Sequence, residues 1–132
     1  KLRHLDDWTN HRRLIAQRYD AALDGTGLQL PVELPFARHV YHLYTVRARE
    51  RAALQKSLAA DGVSSGIHYP IPIHLQPAWA DLGYGGGAFP EAERAASEVL
   101  SLPLYPEMTG EQMESVVSSV KRALGAAAAQ CR

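Results

Sequence analysis

Between Gly66 and Pro77 the chain reads Gly-Ile-His-Tyr-Pro-Ile-Pro-Ile-His-Leu-Gln-Pro, and these prolines constrain the fold more than any other stretch. Each proline fixes its own φ, lacks an N–H donor and pushes the residue before it into extended geometry. Neither a helix nor a paired central strand can run through Pro70 and Pro72. The segment therefore reads as a stiff, non-helical arm that holds His68, Tyr69, His74 and Gln76 at set positions. A flexible polar loop would need no such bracing, so the arm is built to present side chains.

The rest of the chain divides around this arm. From Leu5 to about Leu23, Leu5, Trp8, Ile15, Tyr19, Ala22 and Leu23 recur at helical steps, and Gly25 is placed to end that helix. Thr26 to Arg38, with Gly27, Pro31 and Pro35, reads as an extended connector. His39 to Arg47 is rich in Val, Tyr and Leu and suits a strand, with Val40, Tyr44 and Val46 on one side and Tyr41 and Leu43 on the other. Glu50 to Asp61 is read as a helix stopped at Gly62, and Val63 to Tyr69 as a second strand feeding the arm. Leu75 to Leu82 is read as a short helix, followed by the loose Gly83-Tyr84-Gly85-Gly86-Gly87. Pro90 fits the first turn of a helix running to about Glu98. Leu100 to Leu104 is an edge strand interrupted by Pro103. Thr109 and Gln112 form a capping box ahead of Met113, Val116, Val117, Val120 and Leu124. Gly125 is expected to end that last helix.

Few short strands among helices predict an α+β domain: a small, mainly antiparallel sheet of about three strands, with helices packed on one face. Residues 1–125 form that domain, with a leading helix over 1–24 and the α+β core over 39–124; residues 126–132 are expected to fray. A chain of 132 residues suits one core. Fourteen basic and fourteen acidic residues are spread without a basic block, which argues against a nucleic-acid partner. No apolar run approaches the ~20 residues of a membrane span. The single cysteine, Cys131, excludes an intrachain disulfide and is consistent with a reducing cytoplasm. Opening at Lys1 rather than methionine, the chain is expected to be a fragment or a processed product.

Several motifs, in order, resemble the C-terminal small domain of the pyridoxal-phosphate-dependent nucleotide-sugar aminotransferases of the DegT/DnrJ/StrS type. They are His39-Val40-Tyr41-His42-Leu43-Tyr44, the arm itself, Phe89-Pro90-Glu91-Ala92-Glu93-Arg94 and Leu100-Ser101-Leu102-Pro103-Leu104-Tyr105-Pro106. The resemblance runs from about Leu2 to Leu124. It implies amino transfer from glutamate to a nucleotide-linked keto-sugar, a homodimer, and a large N-terminal domain, absent here, that carries the cofactor lysine. It also implies that the His-Tyr-Pro segment, here His68-Tyr69-Pro70, faces the sugar end of the substrate, with His74 and Gln76 as further substrate-binding candidates.

Schiff-base formation requires a lysine that can lose its proton, yet Lys1 is terminal, and Lys56 and Lys121 fall on helix faces away from the apolar stripes. No phosphate-cradling glycine loop leads into a helix, and Gly85-Gly86-Gly87, without a capped helix and a lysine, reads as surface loop. The expectation is therefore that pyridoxal phosphate is bound in the full-length enzyme and not by this chain alone. Imidazole and phenol groups at His68 and Tyr69 suit hydrogen bonds to sugar hydroxyls or phosphate oxygens; packing beneath the arm is their structural alternative. His74 and Gln76 are open to ligand contact or to bracing of the arm by side chain to backbone bonds. Tyr41, His42 and Tyr44 are assigned to packing. Six histidines invite a metal reading, but His39 and His42 fall on opposite strand faces and no third ligand is spaced to join them. Cys131 has no fixed base beside it. The alternative function, from another class, is a non-catalytic remnant of a split gene or a stand-alone interaction domain, with the exposed docking face of the small domain as its binding surface.

Overall fold

The structure, a computed structural model, describes residues 1–130. Its elements are α1 (Leu5–Leu23), β1 (Tyr44–Arg47), α2 (Arg51–Ala60), α3 (Pro90–Glu98), β2 (Val99–Leu102) and α4 (Gly110–Gln130), with short 3-10 turns at Leu2–His4, Ile73–Leu75 and Pro77–Leu82. This is the α+β class that the sequence predicts. Among the described residues the sheet has two strands rather than about three.

Strands β1 and β2 pair antiparallel, with Tyr44 opposite Leu102 and Val46 opposite Leu100. These four side chains lie on one face of the ladder and are fully or nearly fully buried. Ile15, Ala16, Tyr19 and Leu23 of α1 join them, with Leu54 and Leu58 of α2 and Val116, Val117 and Val120 of α4. The apolar stripes read from the sequence are thus one core between three helices and a sheet face. Thr45 and Ser101 alternate to the other face, where their hydroxyls lie 2.9 Å apart. The pleat separates an apolar side that holds the fold from a polar side that is available to the arm.

The expected third strand, Val63 to Tyr69, reduces to one bridge at Gly66, whose N–H donates to the Ser101 carbonyl and whose carbonyl accepts from the Ser101 N–H. Beyond it, prolines 70 and 72 supply no donors, and the chain leaves the ladder. Gln29 makes a matching single bridge to Arg47 on the opposite edge. The first strand is also shorter than the His39 to Arg47 expected. Arg12 donates to the Val40 carbonyl and Arg13 to the His39 carbonyl, while Tyr41 turns at φ 46°. Those carbonyls face α1 instead of a neighbouring strand, and Val40 is half exposed rather than aligned with Tyr44 and Val46.

Helix ends follow the local chemistry closely. Gly25 (φ 69°) and Gly62 (φ 74°) take the left-handed conformation beyond α1 and α2, where a side chain would be strained. At α4 the capping box forms as read: the Gln112 N–H donates to Thr109 Oγ1 and the Thr109 N–H to Gln112 Oε1. Gly125 does not end that helix, which continues to Gln130. The alanines at 126–129 have the highest intrinsic helix propensity and offset the roughly 1 kcal/mol cost of one glycine. The expected helix over Leu75 to Leu82 is two 3-10 turns broken at Gln76, since Pro77 holds its predecessor extended. Cys131 lies outside the described residues.

Candidate functional site

The arm leaves the sheet at Gly66, and His68 folds back over that glycine. A Cβ on Gly66 would sit 2.6 Å from His68 Cε1, so a side chain there would collide with the imidazole. His68 Nδ1 lies 3.0 Å from Ser101 Oγ, which in turn meets Thr45. The ring forms one wall of an open concavity of about 310 Å³ whose polar lining is Ser64, Ser65, Gly66, His68 and Ser101. The His68–Tyr69 peptide is cis, and the two rings meet edge-on at 5.7 Å. Tyr69 is 73% exposed, followed by exposed Ile71 and Ile73. His68 and Tyr69 thus stand together at the surface, on the polar side of the sheet.

His74 and Gln76 lie elsewhere on the arm. The His74 side chain is buried, its Nε2 lies 3.0 Å from Glu93 Oε1, and its ring meets Phe89 edge-on. The Gln76 amide reaches back to the Ile71 carbonyl at 3.5 Å. Next to His74 a second, apolar cleft of about 420 Å³ is walled by Ile73, Trp79, Leu82, Tyr84 and Phe89. Of the four residues singled out from the sequence, His68 and Tyr69 face solvent, His74 turns toward Glu93 of α3 and lines the apolar cleft, and Gln76 turns back along the arm.

Two residues that the sequence reading did not select hold this arrangement. Ser101 anchors His68, and Glu93 anchors His74. The Glu93 carboxylate also accepts from the Gly87 N–H through both oxygens, at 2.9 and 3.0 Å, and from the Phe89 N–H. Hydrogen bonding from Gly87 foremost, and from His74 and Phe89, holds the Glu93 carboxyl below its ordinary value of 4.5. A carboxyl with a lowered folded pKa stabilises above its ordinary range, and that contribution fades as pH falls through the folded value. Acidification below about pH 4.5 is therefore expected to release the Gly87 and Phe89 amides. Their proton shifts should move with one titration and ahead of core unfolding; amides silent until the core melts would contradict the assignment.

Among the described residues no three His, Cys, Asp or Glu side chains converge to hold a metal ion, and no helix is long and apolar enough to cross a membrane.

The family model described as DegT/DnrJ/EryC1/StrS aminotransferase matches residues 1–121. The chain belongs to this family.

It is 47% identical over 122 residues to the erythromycin biosynthesis sensory transduction protein EryC1 of Saccharopolyspora erythraea, covering 92% of this chain and 33% of that protein. It is 40% identical to the dTDP-3-amino-3,4,6-trideoxy-alpha-D-glucose transaminase of Streptomyces venezuelae, covering 92% and 32%. The fold superposes with a TM-score of 0.90 on the crystal structure of S. venezuelae DesV in complex with a ketimine intermediate, at 40% identity over 93% of this chain and 33% of that one. The chain spans about a third of the length of the relatives it matches.

Membership in this aminotransferase family implies pyridoxal phosphate in the full-length enzymes. Among the described residues, neither the lysines nor the glycine loop forms a site that fits it. Lys1, Lys56 and Lys121 all lie exposed on the surface. The amides of the glycine loop before α3, which would otherwise suit a phosphate, already bind the carboxylate of Glu93.

Proposed function

We propose that this chain is the C-terminal small domain of a pyridoxal-phosphate-dependent aminotransferase that moves an amino group from glutamate to a nucleotide-linked keto-sugar. The observation that carries this reading is the family match over residues 1–121, together with the close superposition on a chain solved with a ketimine intermediate. In the full-length enzyme the cofactor carries the amino group between donor and acceptor. This chain contributes recognition. Tyr69 offers its hydroxyl from an exposed position, and His68 offers Nε2, the ring nitrogen that Ser101 leaves free. Both suit sugar hydroxyls or phosphate oxygens of the acceptor. His74, held by Glu93 of α3, and Gln76, turned back toward Ile71, are assigned to bracing the arm. The working assembly is a cytoplasmic homodimer whose large domain supplies the lysine.

The test uses the full-length protein containing this chain, loaded with pyridoxal phosphate and given glutamate and dTDP-linked 3-keto-sugars. The expected result is an aminated sugar nucleotide with release of 2-oxoglutarate. A full-length protein that binds the cofactor but aminates no sugar nucleotide would favour the non-catalytic, interaction-domain alternative.

A further inference from the structure

The arm between Gly66 and His74 is a span with two anchors. At its near end the Gly66 backbone exchanges two hydrogen bonds with Ser101, and His68 bonds the Ser101 hydroxyl. At its far end His74 is held by Glu93. Between these points, residues 67–71 make no backbone–backbone hydrogen bond among the described residues, and Pro72 and Ile73 bond only into the turn at Leu75 and Gln76. Pro70 and Pro72 stiffen the span, so its position depends on where its ends are fixed. A stiff span held at one end swings; held at both ends, it has one placement.

Glu93 is built for the far anchor. It rises from the first turns of α3, and its carboxylate gathers three donors from two other segments: the Gly87 and Phe89 amides of the glycine loop and the His74 imidazole of the arm. An ionised carboxylate only accepts, so His74 Nε2 carries the hydrogen and the ring is held in one orientation. Phe89 packs edge-on against that ring, and the His74 side chain is 8% exposed against 26% for Glu93. The imidazole end of this hydrogen bond is shielded from water, and leaving that buried nitrogen without its partner is costly.

We propose that Glu93 is a positioning residue: through His74 it fixes the far end of the arm and thereby the placement of His68 and Tyr69 toward the acceptor. This rests on the substrate-facing reading of His68 and Tyr69 given above. Glu93 and His74 touch no reacting atom; they act through the span that separates them from Tyr69.

In the full-length enzyme, Glu93→Ala is expected to lower kcat/KM for the sugar acceptor about five- to tenfold, mainly through KM, the size expected for one shielded hydrogen bond. The glutamate half-reaction should stay within about twofold. Glu93→Gln keeps an acceptor for the loop amides and a group able to pair with His74, so it should recover most of the loss. His74→Ala should match Glu93→Ala, and the double variant should be no worse than either single, because both sit on one path. Equal loss in both half-reactions, or multiplying losses in the double variant, would overturn the proposal. If Glu93→Ala does not fold, Glu93→Gln and His74→Ala carry the same comparison. Limited proteolysis supplies a readout free of catalysis: cleavage within 66–77 should accelerate in Glu93→Ala while the core melting temperature changes little. An unchanged arm in that assay would overturn the positioning role even in an active enzyme. Should the wild type transaminate no sugar nucleotide, proteolysis still decides for or against the anchor, and only the functional reading falls.

Discussion

Tyr44→Ala is expected to destabilise the domain by about 3–5 kcal/mol, the range for deleting a buried aromatic side chain. That is comparable with the whole stability of a small domain. Tyr44 is fully buried at the start of β1, its ring 4.9 Å from that of Tyr19 and 6.3 Å from that of Tyr41. Its hydroxyl donates to Asp20 Oδ1 at 2.6 Å, tying the sheet to α1. Alanine would open a cavity where α1 meets the ladder and leave Asp20 without that donor. Tyr44→Phe keeps the ring and loses only the hydroxyl, so it should cost about 1–2 kcal/mol. Urea unfolding followed by circular dichroism measures both. An alanine variant within 1 kcal/mol of wild type would contradict the core described above. The same tyrosines make the fold sensitive to base. Burial pushes the phenols of Tyr19 and Tyr44 well above their ordinary value of 10. A group whose folded pKa is raised stabilises below its unfolded value and loses that contribution as pH rises beyond it. The unfolding midpoint should therefore fall above about pH 10, and less steeply in Tyr44→Phe.

What the sequence made legible depended on how local the deciding chemistry is. The helices α1, α2 and α3 are written in apolar spacing, in the glycines that stop the first two and in Pro90. The capping box at Thr109 and Gln112 involves residues three apart, and it forms as read. Strand limits are different. Residues 39–43 have strand-favouring side chains, yet Arg12 and Arg13, more than twenty residues upstream, take the carbonyls a ladder would need. Strand propensity describes the surface a residue fits, and a distant arginine can redirect its backbone. At the site, the stiffness of the arm and the exposure of Tyr69 follow from the prolines. The anchors do not: His68 meets Ser101 across 33 residues and His74 meets Glu93 across 19. A serine in an apolar strand and a glutamate in the first turns of a helix are ordinary on their own terms. Only folding shows that each receives one end of the same arm.

The distance between Gly66 and the His68 ring supplies the sharpest test of the arm. In the full-length enzyme His68→Ala is expected to lower acceptor kcat/KM roughly ten- to hundredfold, the cost of leaving a polar or charged substrate group unpaired. The glutamate half-reaction, which does not involve the sugar, should change little. Gly66→Ala approaches the same end from the backbone. Its Cβ would meet His68 Cε1 at 2.6 Å and Nδ1 at 3.3 Å, so the imidazole must swing away and release Ser101. The obstruction is a surface side chain rather than backbone, so the fold can accommodate it and the melting temperature should move little. Gly66→Ala should therefore reproduce much of the acceptor defect of His68→Ala, and adding it to His68→Ala should cost almost nothing more, because the ring it displaces is already gone. Single-turnover measurement of each half-reaction separates these outcomes. If Gly66→Ala impairs glutamate use as strongly as sugar use, the glycine serves the bridge to Ser101 and the sheet edge, and His68 loses its claim on the acceptor.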